Sequence, residues 1–169
     1  MVPQAYLERM DRSCDRQLNL INSLVETQQL EVWGVPLQCR PLHLSQLVSE
    51  LAAEWEPRLA QHEARLENLI THDIPVIEAD YHQLWRVYEN LVANALKHNP
   101  TGVQLTLSAE LHESQGHNSR MAFVRCLVAD TGVGLEPEQI ETLFQLYQRG
   151  SAARKTTGLG LGLYLCRKL

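Results

Sequence analysis

Apolar residues recur at three- and four-residue steps through the first part of the chain: Leu7, Met10, Cys14, Leu18, Ile21 and Val25, with polar residues between them. The stripe predicts one long helix from about Pro3 to Glu31. It fits a surface helix packed on its own domain, or half of a helical hairpin; its length favours the hairpin. Trp33-Gly34-Val35-Pro36 ends it and marks a boundary, dividing the chain into residues 1–33 and 34–169. A short strand near Leu37–Leu42 then precedes a helix of about Ser45–His62 carrying Leu47, Leu51 and Trp55 on one face. Two more short strands are expected at Arg65–Ile70 and Val76–Glu78. Asp80 sits where a helix N-cap belongs, and Leu84, Val87, Leu91 and Ala95 line one face of the next helix. Asn99-Pro100-Thr101-Gly102 closes that helix with turn chemistry.

Period-two alternation in "VQLTLSAEL" marks a half-buried strand at Val103–Leu111. A second strand at Met121–Ala129 comes after the polar loop "HESQGHNS", so the pair reads as an antiparallel hairpin. Asp130 falls at the end of the second strand. A loop of some twenty residues leads to a final helix that opens within Gly158–Leu163 and runs to Leu169. The pattern is mixed α and β, with a layer of helices expected on one face of a sheet.

Bulk properties narrow the partners. A chain of 169 residues, 44% hydrophobic and 21% charged, has an ordinary globular composition. Its net charge of −5 argues against nucleic acid or an anionic membrane as the main partner. No apolar run approaches the roughly 20 residues a membrane span needs, and the N-terminus has no signal-peptide pattern. A soluble, cytoplasmic location is expected. The four cysteines lack CxxC spacing and read as free thiols, mostly core filler.

The chemistry gathers in three places. In "ENLVANALKH", Asn90, Asn94 and Lys97 stand at i, i+4 and i+7, on one helical face. Such a face either caps a neighbouring loop or offers an oxygen to a hard cation and a positive charge to a phosphate, as a magnesium–nucleotide requires. "DTGVGL" opens with Asp130, a common turn former when taken alone. "GLGLGL" sets Gly158, Gly160 and Gly162 ahead of a helix, where exposed N–H groups and the helix dipole suit an anion; a flexible hinge is the plainer reading. Two commoner phosphate motifs fail: "GSAARKTT" has Arg154 where a P-loop needs glycine, and "GLGLGL" lacks dinucleotide spacing.

In this order, "ENLVANALKH", "DTGVGL", "LFQLYQRG" and "GLGLGL" resemble the N, G1, F and G2 boxes of the GHKL superfamily. Within it they look like the catalytic domain of sensor histidine kinases, a resemblance covering roughly residues 37–169. The N-terminal stretch is similar, more loosely, to the second helix of a dimerisation and phosphotransfer hairpin. The resemblance implies an α+β fold, a two-layer sandwich of the GHKL (Bergerat) type preceded by a long helix. It implies ATP or ADP with Mg²⁺ as cofactors. Asp130 would accept from the adenine amine, while Gly132 and Gly134 bend the backbone round the base. Asn94 would ligate Mg²⁺ with Asn90 beside it, a catalytic role being expected for Asn90 as well. Lys97 would meet a phosphate, and His98 would either stack near the nucleotide or close the helix. Gly158, Leu159, Gly160, Leu161 and Gly162 would supply the phosphate loop. Glu136–Thr157 would be a lid anchored by Phe144 and Tyr147, with Arg149 the first choice, ahead of Arg154 and Lys155, for the γ-phosphate.

The implied activity is transfer of the γ-phosphate to a histidine. Implied partners are the phosphoacceptor histidine domain, a response regulator, and a second copy met through the N-terminal helix. None of the seven histidines has an H-box setting. His62-Glu63 and His112-Glu113 share the His-acid pair of that box but lack the residues that come after it. The acceptor histidine and the last strands of the sheet are therefore expected outside this chain. A nucleotide-binding module without catalysis and a GHKL ATPase are the alternatives. The ATPases carry a glutamate base where this chain has Asn90, which counts against the second.

Overall fold

The computed structural model describes residues 36–115, 120–145 and 161–169, together with positions 3, 4, 6, 7, 9–11, 13, 14, 17, 18, 21, 25, 28 and 34. It divides into two compact units, one of residues 37–136 and one combining 1–36 with 137–168.

In the first unit, β1 (Arg40–Leu42) leads into α1 (Leu44–Gln61), and β2 (Arg65–Asn68) and β3 (Ile77–Ala79) come after it. Next come α2 (Tyr81–His98) and the two long strands β4 (Gln104–Gln115) and β5 (Arg120–Asp130). β1 and β3 pair antiparallel, Arg40 opposite Ala79. β2 runs parallel to β4 with Arg65 opposite Gln104, and β5 closes the order β2-β4-β5 antiparallel, Leu105 opposite Asp130. A parallel pair needs a crossover connection, and β3 with α2 supplies it.

Leu44, Leu47, Val48, Leu51, Trp55 and Leu59 of α1 meet Tyr88, Val92, Ala95 and Leu96 of α2, with Val103, Leu105 and Leu107 beneath them. This is the expected two-layer α+β sandwich. Alternation places residues 103, 105 and 107 on the covered face, while Gln104 is exposed and Thr106 half-buried.

Both helices have definite ends. Asp80 caps α2 as expected, its Oδ1 accepting from the N–H of His82 (3.0 Å) and Gln83 (3.2 Å). Its Oδ2 accepts from the Gln38 N–H at 2.9 Å, tying the segment before β1 to the same cap. These bonds hold the Asp80 carboxyl below its ordinary value, the Gln38 bond first. α1 stops where Glu63 adopts a left-handed φ of 53°, and the Ala64 N–H returns to the Leu59 carbonyl at 2.9 Å.

In the second unit every described position from Gln4 to Gln28 is helical. α3 (Pro137–Thr142) and α4 (Gly162–Lys168) complete the described elements.

Three expectations need correction. The stretch after Asp130 is not loop throughout, since it contains α3; Pro137 in the first turn and Glu138 beside it are helix-opening residues. The polar "HESQ" at residues 112–115 is strand, because ladder pairing with β5 carries β4 to Gln115. The cysteines are not core filler: Cys14, Cys39 and Cys126 are exposed and Cys166 half-buried, and none of the four is in a disulfide among the described residues. Cys126 lies on β5, an edge strand among the described residues, where fewer neighbours cover it.

Candidate functional site

The end of β5 and the end of α2 meet. Asp130, the last residue of β5, accepts at Oδ1 from the N–H of Gly132 (2.8 Å) and from Nδ2 of Asn99 (3.0 Å). Asn99 stands directly after α2, and its Nδ2 also donates to the Ala95 carbonyl at 3.0 Å. Its Oδ1 accepts from the Val133 N–H at 3.0 Å. Thr131 fixes the loop to the start of β4: its N–H donates to the Gln104 carbonyl, and its Oγ1 accepts from the Gln104 N–H, both at 3.0 Å.

The glycines of this loop are required for two different reasons. A Cβ at Gly132 would overlap the side-chain amide of Asn99. Gly134 has open space around it but holds φ at +73°, where a side chain is strained. Among the described residues, Oδ2 of Asp130 accepts no hydrogen bond, so one carboxylate oxygen is anchored and the other is free to meet a ligand.

On α2, Asn90 and Asn94 are both half-buried. The Nδ2 atom of Asn90 is buried and has no hydrogen-bond partner among the described residues. A buried amide left unpaired costs about 1–3 kcal/mol, so the site suits a ligand that satisfies it. Which amide atom faces which way is decided by the partner it finds.

His98 closes the helix, and burial first, with the positive charge of Lys97 second, lowers its pKa from the ordinary 6.5. Lys97 is exposed and lines an open groove of about 580 Å³ between the C-terminal ends of α1 and α2. Trp55, Arg58, His62, Leu96 and Asn99 share its walls, and the Arg58 guanidinium lies over the Trp55 ring, 4.7 Å from its centroid.

Leu161 is buried and Gly162 opens α4. Phe144 is half-buried. Arg149, Tyr147, Arg154, Lys155, Gly158, Leu159 and Gly160 lie outside the described residues. Among the described residues no group of three or more His, Cys, Asp or Glu gathers to hold a metal ion. A Mg²⁺ ion that arrives with a nucleotide takes few protein oxygens and shares its coordination with phosphates, so an amide oxygen can serve it. The half-buried Asn94 can offer such an oxygen, whereas the unpaired Asn90 Nδ2 is a donor that suits an acceptor such as a phosphate oxygen, and only Asn90 Oδ1 could face the ion.

Two residues escaped the reading from sequence. Asn99 appeared only as part of a turn, and the 31 residues separating it from Asp130 left no local signal. Tyr88 is 2% exposed, and burial, with the Cys126 thiol beside it, pushes its pKa above the ordinary tyrosine value.

A helix layer on one sheet face, with its polar chemistry on one helix and one strand end, defines a two-layer α/β sandwich. The chain belongs to the histidine kinase-, DNA gyrase B- and HSP90-like ATPase family, whose model matches residues 79–169. Over 167 residues it is 28% identical to the sensor protein GacS of Pseudomonas syringae pv. syringae, covering 97% of this chain and 18% of that protein. It is 31% identical over 163 residues to the histidine protein kinase DivJ of Caulobacter vibrioides, covering 96% of this chain and 26% of that one. The chain thus spans about a quarter or less of these relatives. The fold is similar to that of full-length ShkA in complex with AMPPNP, with a TM-score of 0.79 at 24% identity, over 98% of this chain and 33% of that one.

Proposed function

We propose that this chain is the ATP-binding catalytic core of a two-component sensor histidine kinase, transferring the γ-phosphate of Mg-ATP to a histidine outside the chain. Residues 1–33 are read as the second helix of a dimerisation and phosphotransfer hairpin, and residues 34–169 as the kinase domain. The observation that carries the proposal is Asp130, anchored through Oδ1 with Oδ2 open beside a glycine loop. An acceptor in that position suits the exocyclic amine of adenine. Guanine presents a carbonyl there and would set acceptor against acceptor, a penalty of roughly 1–3 kcal/mol or more.

Asn94 and Asn90 would hold Mg²⁺, which when bound neutralises phosphate charge during transfer. Lys97 orients a phosphate from the end of α2, and Gly158–Gly162 supply backbone N–H groups. Arg149 meets the γ-phosphate from the lid. A response regulator is the downstream partner. The family membership and the kinase names of the relatives support this reading. Among the described residues no helix is long and apolar enough to cross a membrane.

The test is calorimetric titration of Mg-ADP and Mg-GDP, then phosphotransfer from labelled ATP to a separately supplied hairpin bearing an acceptor histidine. Saturable ADP binding, weak GDP binding, a marked weakening of ADP in Asp130→Ala and labelling of the hairpin are expected. ADP binding without labelling would leave a regulatory nucleotide module instead of a kinase.

A further inference from the structure

We infer that Asn99 is the positioning residue for the base-recognising carboxylate: it sets the orientation of Asp130 and, through it, the selection of adenine over guanine. The inference rests on the nucleotide reading above and goes beyond it by assigning a residue outside the four motifs.

The geometry admits one arrangement of the Asn99 amide. Two acceptors, the Asp130 Oδ1 and the Ala95 carbonyl, surround one of its atoms at 3.0 Å, so that atom is the nitrogen. The other atom faces the Val133 N–H at 3.0 Å and is the oxygen. One side chain thus holds three points at once: the last turn of α2, the carboxylate, and the loop beyond it. Asp130 Oδ1 then carries two donors, Asn99 and the Gly132 N–H, and rotation about the carboxylate torsion would break both. The consequence is a preorganised Oδ2. A freely rotating carboxylate would have to be ordered on binding, which costs affinity.

Gly132 belongs to the same device. Its Cβ position is filled by the Asn99 amide, so this glycine is demanded by the protein's own clamp whether or not a nucleotide is near. Substitutes for Asn99 fail for stated reasons. Aspartate keeps the shape and the acceptor for Val133, but presents an oxygen to the Asp130 carboxylate. Serine offers a single oxygen and cannot span both partners. Alanine leaves the Val133 N–H without its acceptor and Asp130 Oδ1 held by the Gly132 N–H alone.

Asn99→Asp, Asn99→Ala, Asp130→Ala and the double variant Asn99→Asp/Asp130→Ala are compared with the parent chain by calorimetry with Mg-ADP and Mg-GDP. Hydrogen exchange of the Gly132 and Val133 amides is tracked without nucleotide. Asn99→Asp should weaken Mg-ADP by about tenfold or more, the loss of a charge-assisted bond, and narrow the ADP-to-GDP ratio. In the Asp130→Ala background the same change should add little, because the partner it acts through is gone. The two amides should exchange faster in Asn99→Ala while those of β4 keep their protection.

A folded Asn99→Asp with parental ADP affinity and ratio would overturn the inference. Equal weakening of ADP and GDP would do the same, since it marks a structural residue only. Absence of ADP binding by the parent chain would instead sink the nucleotide reading, and with it the assignment of base selection to Asn99. Unchanged exchange at Gly132 and Val133 in Asn99→Ala would remove the clamp alone.

Discussion

At the scale of single residues, the chemistry depends on small groups held in unusual places. Asp130 and Asn99 form a bonded pair across 31 positions of chain, and Gly132 is shaped by it. The Asn90 face was legible from spacing, because positions four apart share a helix face whatever packs on it. The Asn99 contact was not legible, because Asn-Pro after a helix is ordinary turn chemistry and its partner is remote. His98 carries a pH dependence that can be given a sign. Its pKa in the fold lies below the ordinary 6.5, so the unfolded chain holds the proton more tightly. The stabilising contribution is therefore full above about pH 6.5 and is lost as pH falls through the lower folded value. Thermal melts should show the parent chain losing more stability than His98→Gln between about pH 7 and pH 5. Parallel curves for the two proteins would contradict it.

At the scale of elements, α1 and α2 owe their position to the face they bury. Leu47, Val48, Leu51 and Val92 are each 0% exposed, and the strand residues beneath them are covered by the same contacts. Leu51→Ala should cost about 2–5 kcal/mol, the transfer of the lost methyls plus the cavity left behind. Urea denaturation checks it, and an unchanged midpoint would mean that α1 does not depend on this packing. The helix and strand assignments were readable because α1, α2 and β4 each keep one period over many residues. Short pieces were less readable. α3 hid in a stretch assigned to loop because six residues cannot display a helical period. The true extent of β4 was set by pairing with β5, which overrode the polar composition of residues 112–115.

At the scale of the whole molecule, Leu7, Met10, Leu18 and Ile21 remain exposed at 56%, 62%, 56% and 56% on helical positions of one stripe. Concentration-dependent self-association through that stripe is the expected outcome, and Leu18→Asp should weaken it. Sedimentation velocity showing monomer alone at high concentration would refute it. What the sequence determined by itself was the class of fold, the order of most elements, the placing of Asn90 and Asn94 on one helix and that of Asp130 at a strand end. Those come from periodicity, capping and spacing, all of which act between near neighbours in the chain. Only the tertiary structure decided which oxygen of Asp130 stays open, why Gly132 has no side chain, and that Lys97 lines a groove against Arg58 and Trp55. Each of these is set by groups remote in sequence. Their approach is fixed by the packing of α1 and α2 on the sheet, and no local pattern encodes that packing residue by residue.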